Sequence, residues 1–166
     1  MLAHGREAKD IQSLVPALKN ASRAYAQLGR VEDARRLAAE LLSLNIGRNS
    51  EALFYHHPIW PVAGLGITAE VRELFEQSLP TPWREAQLAL LDEDFARAAE
   101  IYAGVGYRPF EAEIRLLAAE HLVATGRSEE GEAELEKALV FFRSVGATFY
   151  VERGEKLLAS AQSESA

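Results

Sequence analysis

Cysteine is absent from this chain of 166 residues, and no apolar stretch in it is long. Without thiols the chain has no disulfides, thiolate zinc sites, iron–sulfur clusters or cysteine nucleophile. The longest apolar run, residues 61–67, contains two glycines and is far shorter than the roughly 20 residues of a membrane span. The charged first ten residues lack the apolar segment of a signal peptide. We therefore expect a cytoplasmic protein with no membrane partner.

Basic residues are also outnumbered by acidic ones. The chain has 18 Lys and Arg against 25 Asp and Glu, which gives a net charge of −7 at pH 7. A protein that follows a phosphate backbone needs a basic surface, so we expect no direct nucleic-acid partner. A Gly-Lys-Ser/Thr phosphate loop does not occur either. We accordingly expect no catalytic residues, no cofactor and no metal site.

Helical periodicity and recurring turns are what the sequence does contain. Apolar residues recur at steps of three and four, which predicts amphipathic helices throughout. Two Gly-Arg breaks, at Gly29-Arg30 and Gly126-Arg127, are separated by roughly three periods of about 32–34 residues. These features predict an all-α fold of antiparallel helical hairpins, in one domain over residues 1–166. The predicted repeats cover residues 13–45, 50–79, 81–106 and 109–145, followed by a capping helix over residues 148–160.

Several local features predict where individual helices begin and which faces they bury. The first helix is expected to begin near Ser13, with Pro16 either in its first turn or inside a helix that began earlier. Thr81 before Pro82 predicts a helix start, and Ser128 is expected to cap the second helix of the last hairpin. The residues expected to line buried faces in the first hairpin are Leu14, Leu18, Ala21, Tyr25 and Leu28, then Val31, Ala34, Ala38 and Leu41. Small residues expected at helix contacts are Ala34, Ala38, Ala98, Ala118 and Ala138.

The small and bulky positions of these hairpins resemble those of the tetratricopeptide repeat. The residues that carry the resemblance are Leu18, Ala21, Ser22, Tyr25, Gly29, Ala34, Ala38 and Leu41 in the first hairpin, and Ala118, Ala119, Leu122, Gly126, Gly131, Leu135 and Ala138 in the last. The last hairpin departs at Arg115, where the motif has a bulky apolar residue, and at Leu122, where it has an aromatic. The resemblance implies a right-handed superhelix of hairpins that binds a protein or peptide partner.

A second resemblance covers residues 88–161. The segments Asp94–Tyr102, Arg108–Glu113 and Leu135–Thr148 are similar to the C-terminal helical region of large bacterial ATP-binding regulators, either cyclase-linked or LuxR-type. This implies a regulatory module in signalling or transcription that follows a nucleotide-hydrolysing module. It also leaves open an intramolecular structural unit that packs on an ATPase or cyclase module.

Lys19, Arg23 and Gln27 are the candidate partner-binding residues. They recur every four residues on the first helix, where two cations and an amide could bind a carboxylate or an acidic peptide. An ordinary solvated helix face has the same pattern. The corresponding positions of the last hairpin, Glu113 and Glu120, are acidic, so a carboxylate clamp built from several repeats is not expected.

His56 and His57, near Tyr55 and Trp60, are the only local group that suggests metal or acid–base chemistry. Adjacent histidines point in different directions on a helix, and no carboxylate lies one turn away to complete a site. A structural or surface role is the better interpretation. An all-helical enzyme using residues 55–60 remains the third alternative, and it would need a deep pocket with a strongly perturbed titratable group.

Overall fold

The computed structural model of this chain describes Arg6, residues 10–44 and residues 65–164, with side chains up to residue 159. This part of the chain contains eight α-helices and no strand, which confirms the all-α prediction. The helices are α1 Ile11–Gln27, α2 Val31–Ser43, α3 Thr68–Glu76, α4 Pro82–Leu91, α5 Phe95–Gly104, α6 Arg108–Ala124, α7 Ser128–Ser144 and α8 Thr148–Glu164. They group into two compact units, an N-terminal unit to Leu91 and a C-terminal unit from Asp92.

The N-terminal unit is built on the α1–α2 hairpin. Asp10 caps α1, because its carboxylate accepts hydrogen bonds from the backbone N–H groups of Gln12 and Ser13. The helix therefore begins at Ile11, and Pro16 lies inside it, where it cannot donate to the carbonyl oxygen four residues earlier. The core of this unit combines residues from α1, α2, the segment before α3, and α3: Leu14, Val15, Leu18, Ala34, Leu37, Ala38, Leu41, Leu65, Ile67, Val71 and Phe75.

Two residues expected on the buried faces of the first hairpin lie outside its core. Leu28 is 72% exposed and Val31 is 38% exposed. Both flank the turn: α1 ends at Gln27, and α2 begins at Val31. The periodic pattern extends past the last residue that can reach the core, so the prediction was wrong at these two positions. The predicted repeat over residues 50–79 lies partly outside the described residues.

The C-terminal unit consists of α5 to α8, each packed against the next in the chain. Helix α6 has neighbours on three sides: α5, α7 and, over a smaller area, α8. The core between α6, α7 and α8 centres on Leu116, Leu135, Leu139 and Phe142. Helix α8 continues to Glu164, four residues beyond the predicted end of the capping helix.

The turns between these helices share one geometry. After α6, Gly126 has a φ of +79°, the Arg127 N–H donates to the Leu122 carbonyl at 2.8 Å, and the Gly126 N–H donates to the Val123 carbonyl at 3.0 Å. This is the Schellman arrangement, in which a left-handed residue ends the helix and a glycine avoids backbone strain. Ser128 is the first residue of α7 and Arg127 is the N-cap, without a side-chain hydrogen bond. The prediction that Ser128 caps this helix was therefore wrong.

Turn glycines recur every 20 residues in the C-terminal unit, at Gly106, Gly126 and Gly146. Helices α6, α7 and α8 each have 17 residues, so two helices with their turns span 40 residues. This period is longer than the 32–34 residues predicted. The prediction divided the distance between Gly29 and Gly126 into equal repeats, whereas α3, α4 and α5 have only 9, 10 and 10 residues.

The alanines predicted at helix contacts are all buried. Ala34, Ala98 and Ala138 are fully buried, and Ala38 and Ala118 nearly so. Gly131 plays the same part between α6 and α7, because an added Cβ would lie 2.9 Å from Val123 Cγ2 and 3.1 Å from the Ala119 carbonyl oxygen. Small side chains therefore set the close approach of these helices, as the sequence pattern predicted.

We expect Ala34→Leu and Ala138→Leu each to lower the free energy of unfolding by about 1–3 kcal/mol, because the larger side chain overpacks a closed helix contact. Urea unfolding followed by circular dichroism measures the change. The matched controls are Ala39→Leu and Ala133→Leu, which add the same atoms at exposed positions of the same two helices. If the core variants unfold at the same urea concentration as these controls, the contacts described above are wrong.

Candidate functional site

Lys19, Arg23 and Gln27 lie on α1, but in different environments. Lys19 and Arg23 are half-buried, whereas Gln27 is exposed at the last position of the helix. Their neighbours Leu18 and Ser22 are buried, and the Ser22 hydroxyl donates to the Ala34 carbonyl at 2.9 Å. The two cations therefore lie at the border of the α1–α2 contact and are less exposed than side chains on a fully solvated helix face.

The two cations influence each other. Burial lowers the pKa of the Lys19 ammonium, and the positive charge of Arg23 lowers it further. A pair of like charges on successive turns destabilises the protonated form of Lys19. A negatively charged group placed between them would interact favourably with both. Of the three predicted residues, Lys19 and Arg23 thus form a pair, and Gln27 lies one turn further on.

A second feature, not predicted from the sequence, is a groove of about 400 Å³ along one side of the α6–α7 hairpin. We call it the open groove. On α6 it is lined by Arg108, Glu111, Ala112 and Arg115. On α7 it is lined by Lys137, Val140, Phe141 and Ser144. In each set the later three residues lie three, four and seven positions after the first, so each set is one continuous stripe of its helix.

The charges of the open groove form a connected network. Arg115 Nε donates to Glu111 Oε1 at 3.0 Å, and Arg115 Nη1 donates to Glu134 Oε2 at 2.7 Å. At the same end, Lys137 Nζ donates to Glu134 Oε1 at 2.6 Å. At the other end, Arg108 lies 3.5 Å from Glu111. Arg115, which stood out in the sequence as a departure from the repeat pattern, forms one ion pair within α6, to Glu111, and one between the two helices, to Glu134.

These charged side chains fall into a mostly buried group and an exposed group. The side chains of Arg115, Glu111 and Glu134 are only 15%, 13% and 17% exposed, whereas those of Arg108 and Lys137 are 72% and 54% exposed. Burial acts to raise the pKa of Glu134, but hydrogen bonds from Lys137 and Arg115 outweigh it and leave that pKa below its ordinary value. Each of the two carboxylates accepts a hydrogen bond from Arg115, and the outermost charges of the open groove are the cations Arg108 and Lys137.

The opposite side of the same hairpin is covered by α8. Arg153 forms two hydrogen bonds of 2.6 Å with the Glu120 carboxylate, and the Tyr150 hydroxyl donates to Glu113 at 3.2 Å. The Tyr150 ring stacks on Phe142 with 4.5 Å between centroids. Glu113 and Glu120, the acidic counterparts of the candidate partner-binding residues on α1, therefore contact a helix of the same chain. We call this side the covered groove.

Gly154 allows α8 to approach α7 closely in the covered groove. A Cβ at this position would lie 2.8 Å from Leu139 Cδ2 and 2.9 Å from Leu135 Cδ1. Helix α8 thus makes apolar contacts with α7 and polar, charged contacts with α6. An amphipathic helix with cationic and aromatic groups fills an acidic groove here.

The remaining candidate chemistry is limited. Among the residues that the structure describes, no group of three or more His, Asp or Glu side chains could hold a metal ion. His56, His57 and the rest of the 55–60 segment lie outside the described residues. His121, on α6, lies beside Phe95 of α5 with 5.3 Å between ring centroids, as a packed interhelical residue does. No described helix is long and apolar enough to cross a membrane.

The second resemblance, over residues 88–161, covers α5 together with α6, α7 and most of α8, and the last three of these helices form the two grooves. Comparison with known proteins adds no further assignment: no family model, no curated protein and no solved structure matches this chain.

Proposed function

We propose that this chain is a protein-interaction module of the tetratricopeptide-repeat class, in which antiparallel hairpins stack into a right-handed superhelix. The observation that carries the proposal is the half-buried Lys19–Arg23 pair on α1. The helical hairpins around it, held by small residues at their contacts, are the scaffold that such modules use to present a rigid helix face. The resemblance over residues 88–161 supports a place in the C-terminal part of a larger bacterial ATP-binding regulator.

The ligand that fits the Lys19–Arg23 pair is an acidic peptide segment or a C-terminal carboxylate. Two donors one helical turn apart can hold the two oxygens of a carboxylate, and a charge-assisted hydrogen bond to a half-buried cation is stronger than one in water. Helix α1 is anchored on α2 through Leu18 and Ser22, so the backbone positions that carry the two cations are fixed before binding. Such preorganisation limits the entropy lost on association.

The experiment compares three baits in quantitative affinity capture: the wild-type chain, Lys19→Ala/Arg23→Ala, and the control Arg97→Ala/Lys156→Ala. The control removes the same charge from exposed positions on α5 and α8. A partner kept by the wild type and the control but lost by the first variant is then titrated as a peptide, with its acidic residues intact or changed to amides. Removing the two cations should weaken binding by about 1–3 kcal/mol, and added salt should weaken it further.

Equal affinity of all three folded proteins for the captured partner would overturn the assignment of this pair. Capture of an ATP-binding module by all three baits, insensitive to salt, would favour the alternative of an intramolecular structural unit. Circular dichroism spectra of the variants check that each one is folded before the comparison is made.

A further inference from the structure

The open groove has an apolar wall between two exposed cations. Val140 is 68% exposed, Phe141 is half-buried, and Ala112 lies buried at the base. Arg108 is at one end, beside Glu111, and Lys137 is at the other, beside Glu134. On α6, Arg108 and Arg115 are seven positions apart, or about 10 Å at 1.5 Å per residue. The open groove is thus two helical turns long, positive at both ends and apolar between them.

The covered groove of the same hairpin provides an example of what such a surface binds. There the carboxylates of Glu113 and Glu120 meet a tyrosine hydroxyl and an arginine from α8. The apolar centre is filled by residues of α8 that include Tyr150, Val151 and Leu157. The open groove has the reverse charge, because Arg115 occupies its carboxylates and the exposed charges are Arg108 and Lys137. A helix that fits it must carry carboxylates where α8 carries a cation.

We propose that the open groove is a docking site for an acidic amphipathic helix of a partner protein. The helix that fits carries a first carboxylate and two apolar residues three and four positions after it. A second carboxylate lies seven positions after the first. That spacing gives about 10 Å between the carboxylates, which matches the separation of the two ends of the groove. The apolar pair lies on Val140 and Phe141. This proposal concerns a surface separate from the Lys19–Arg23 pair and does not depend on it.

The test uses a synthetic helical peptide with Glu, Leu, Leu and Glu in this spacing, and matched peptides with Gln or Lys in place of both Glu residues. Fluorescence anisotropy measures their affinities for the full chain at low salt. We expect the Glu peptide to bind at least about tenfold more tightly than the Gln peptide, and the Lys peptide to bind most weakly. Equal affinity of the Glu and Gln peptides, or no binding of either, would overturn the proposal.

Variants of the chain then locate the site. Arg108→Gln/Lys137→Gln should weaken binding of the Glu peptide about tenfold, and Val140→Asp should weaken it as well, since it places a like charge in the apolar wall. The charge-matched control Arg97→Gln/Lys156→Gln should bind as the wild type does. Lys19→Ala/Arg23→Ala should also bind the Glu peptide as the wild type does. Binding at the open groove and binding at the Lys19–Arg23 pair are therefore tested by different variants, and either proposal can fail without the other. If the Arg108→Gln/Lys137→Gln and control proteins bind equally, the peptide docks elsewhere and the proposal is wrong.

A final measurement separates a helix from a small anion. Nuclear magnetic resonance titration with 4-phenylbutyrate tests whether one apolar group and one carboxylate suffice. If 4-phenylbutyrate shifts the amide signals of residues 137–144 while no helical peptide binds, the open groove is a small-molecule site and the docking proposal is wrong. If the Glu peptide shifts these signals and those of residues 108–115, and 4-phenylbutyrate shifts them only weakly, the proposal is supported.

Discussion

Replacing Tyr102 with alanine is expected to lower the free energy of unfolding of the C-terminal unit by about 3–5 kcal/mol. Tyr102 is fully buried, and its ring meets Phe110 edge-on with 5.5 Å between centroids. The fully buried Ala98 and Ala99 lie on the same short helix. Removing the ring leaves a cavity between α5 and α6 that backbone shifts fill only partly. Truncation of a fully enclosed aromatic side chain is among the most destabilising single changes in a protein core.

The measurement is urea unfolding of the full chain, combined with hydrogen exchange of the amides of α5 and α6. The matched control is Phe149→Ala, which removes an aromatic ring that is 60% exposed. Tyr102→Ala should unfold at a clearly lower urea concentration than the control, and protection in α5 should fall first. Similar midpoints for the two variants would mean that α5 does not pack on α6 through Tyr102.

Replacing Arg115 with methionine is expected to destabilise the same unit by roughly 2–3 kcal/mol. The change removes a hydrogen bond from each of Glu111 and Glu134 and leaves them with only the exposed cations Arg108 and Lys137. Breaking a fully buried pair by removing one partner costs about 3–5 kcal/mol, and the partial exposure of these side chains reduces the effect. Methionine keeps an apolar side chain of similar length, so the loss of stability comes from the missing charge interactions and not from a cavity.

Two further variants test the cause of this loss. Arg115→Met/Glu134→Gln should recover part of the lost stability, because one of the two carboxylates that lost the arginine has become neutral. Arg127→Met removes an arginine that pairs with Glu130 on the exposed surface, and it should leave the unfolding midpoint unchanged. A midpoint for Arg115→Met equal to that of Arg127→Met would refute the network. So would a double variant less stable than the single one.

The effect of Arg115→Met should also depend on pH. In the wild type the pKa of Glu134 is lowered on folding, so its stabilising contribution is present above its unfolded pKa of about 4.3 and is lost as the pH falls through the folded value. The variant keeps the Lys137 hydrogen bond to Glu134 but loses that of Arg115, so the pKa of folded Glu134 lies higher than in the wild type. The wild type therefore loses more stability than the variant as the pH falls from about 4.3 through the folded pKa of Glu134, and the difference in their unfolding free energies should narrow over that range.

Much of the local structure could be predicted from the sequence because it depends on neighbouring residues. The glycines that end α1, α6 and α7 and the Thr81–Pro82 start of α4 act within one or two turns of the chain. Thr81 Oγ1 indeed accepts a hydrogen bond from the Arg84 N–H at 3.2 Å. The buried alanines followed from periodicity in the same way.

The open groove could not be predicted, because its residues meet only through the pairing of two helices. Arg115 stood out in the sequence as a departure from the repeat pattern. Its partner Glu134 lies 19 residues away, and that pairing depends on how α7 is aligned against α6. The covered groove could not be predicted for the same reason: the contacts of Glu113 and Glu120 come from Tyr150 and Arg153, 37 and 33 residues later.

The 20-residue spacing of Gly106, Gly126 and Gly146 constrains which insertions and deletions this unit tolerates. A single residue inserted in the middle of α7 turns everything after it by about 100°. If the residue is inserted before Leu139, Leu139 would take the exposed direction of Val140, and Phe141 would take the direction of Phe142 toward α8. Seven added residues complete almost two turns and leave each face about 20° from its original direction. Length variation in these helices should therefore come in steps of about two turns, each of which lengthens the open groove and the covered groove together.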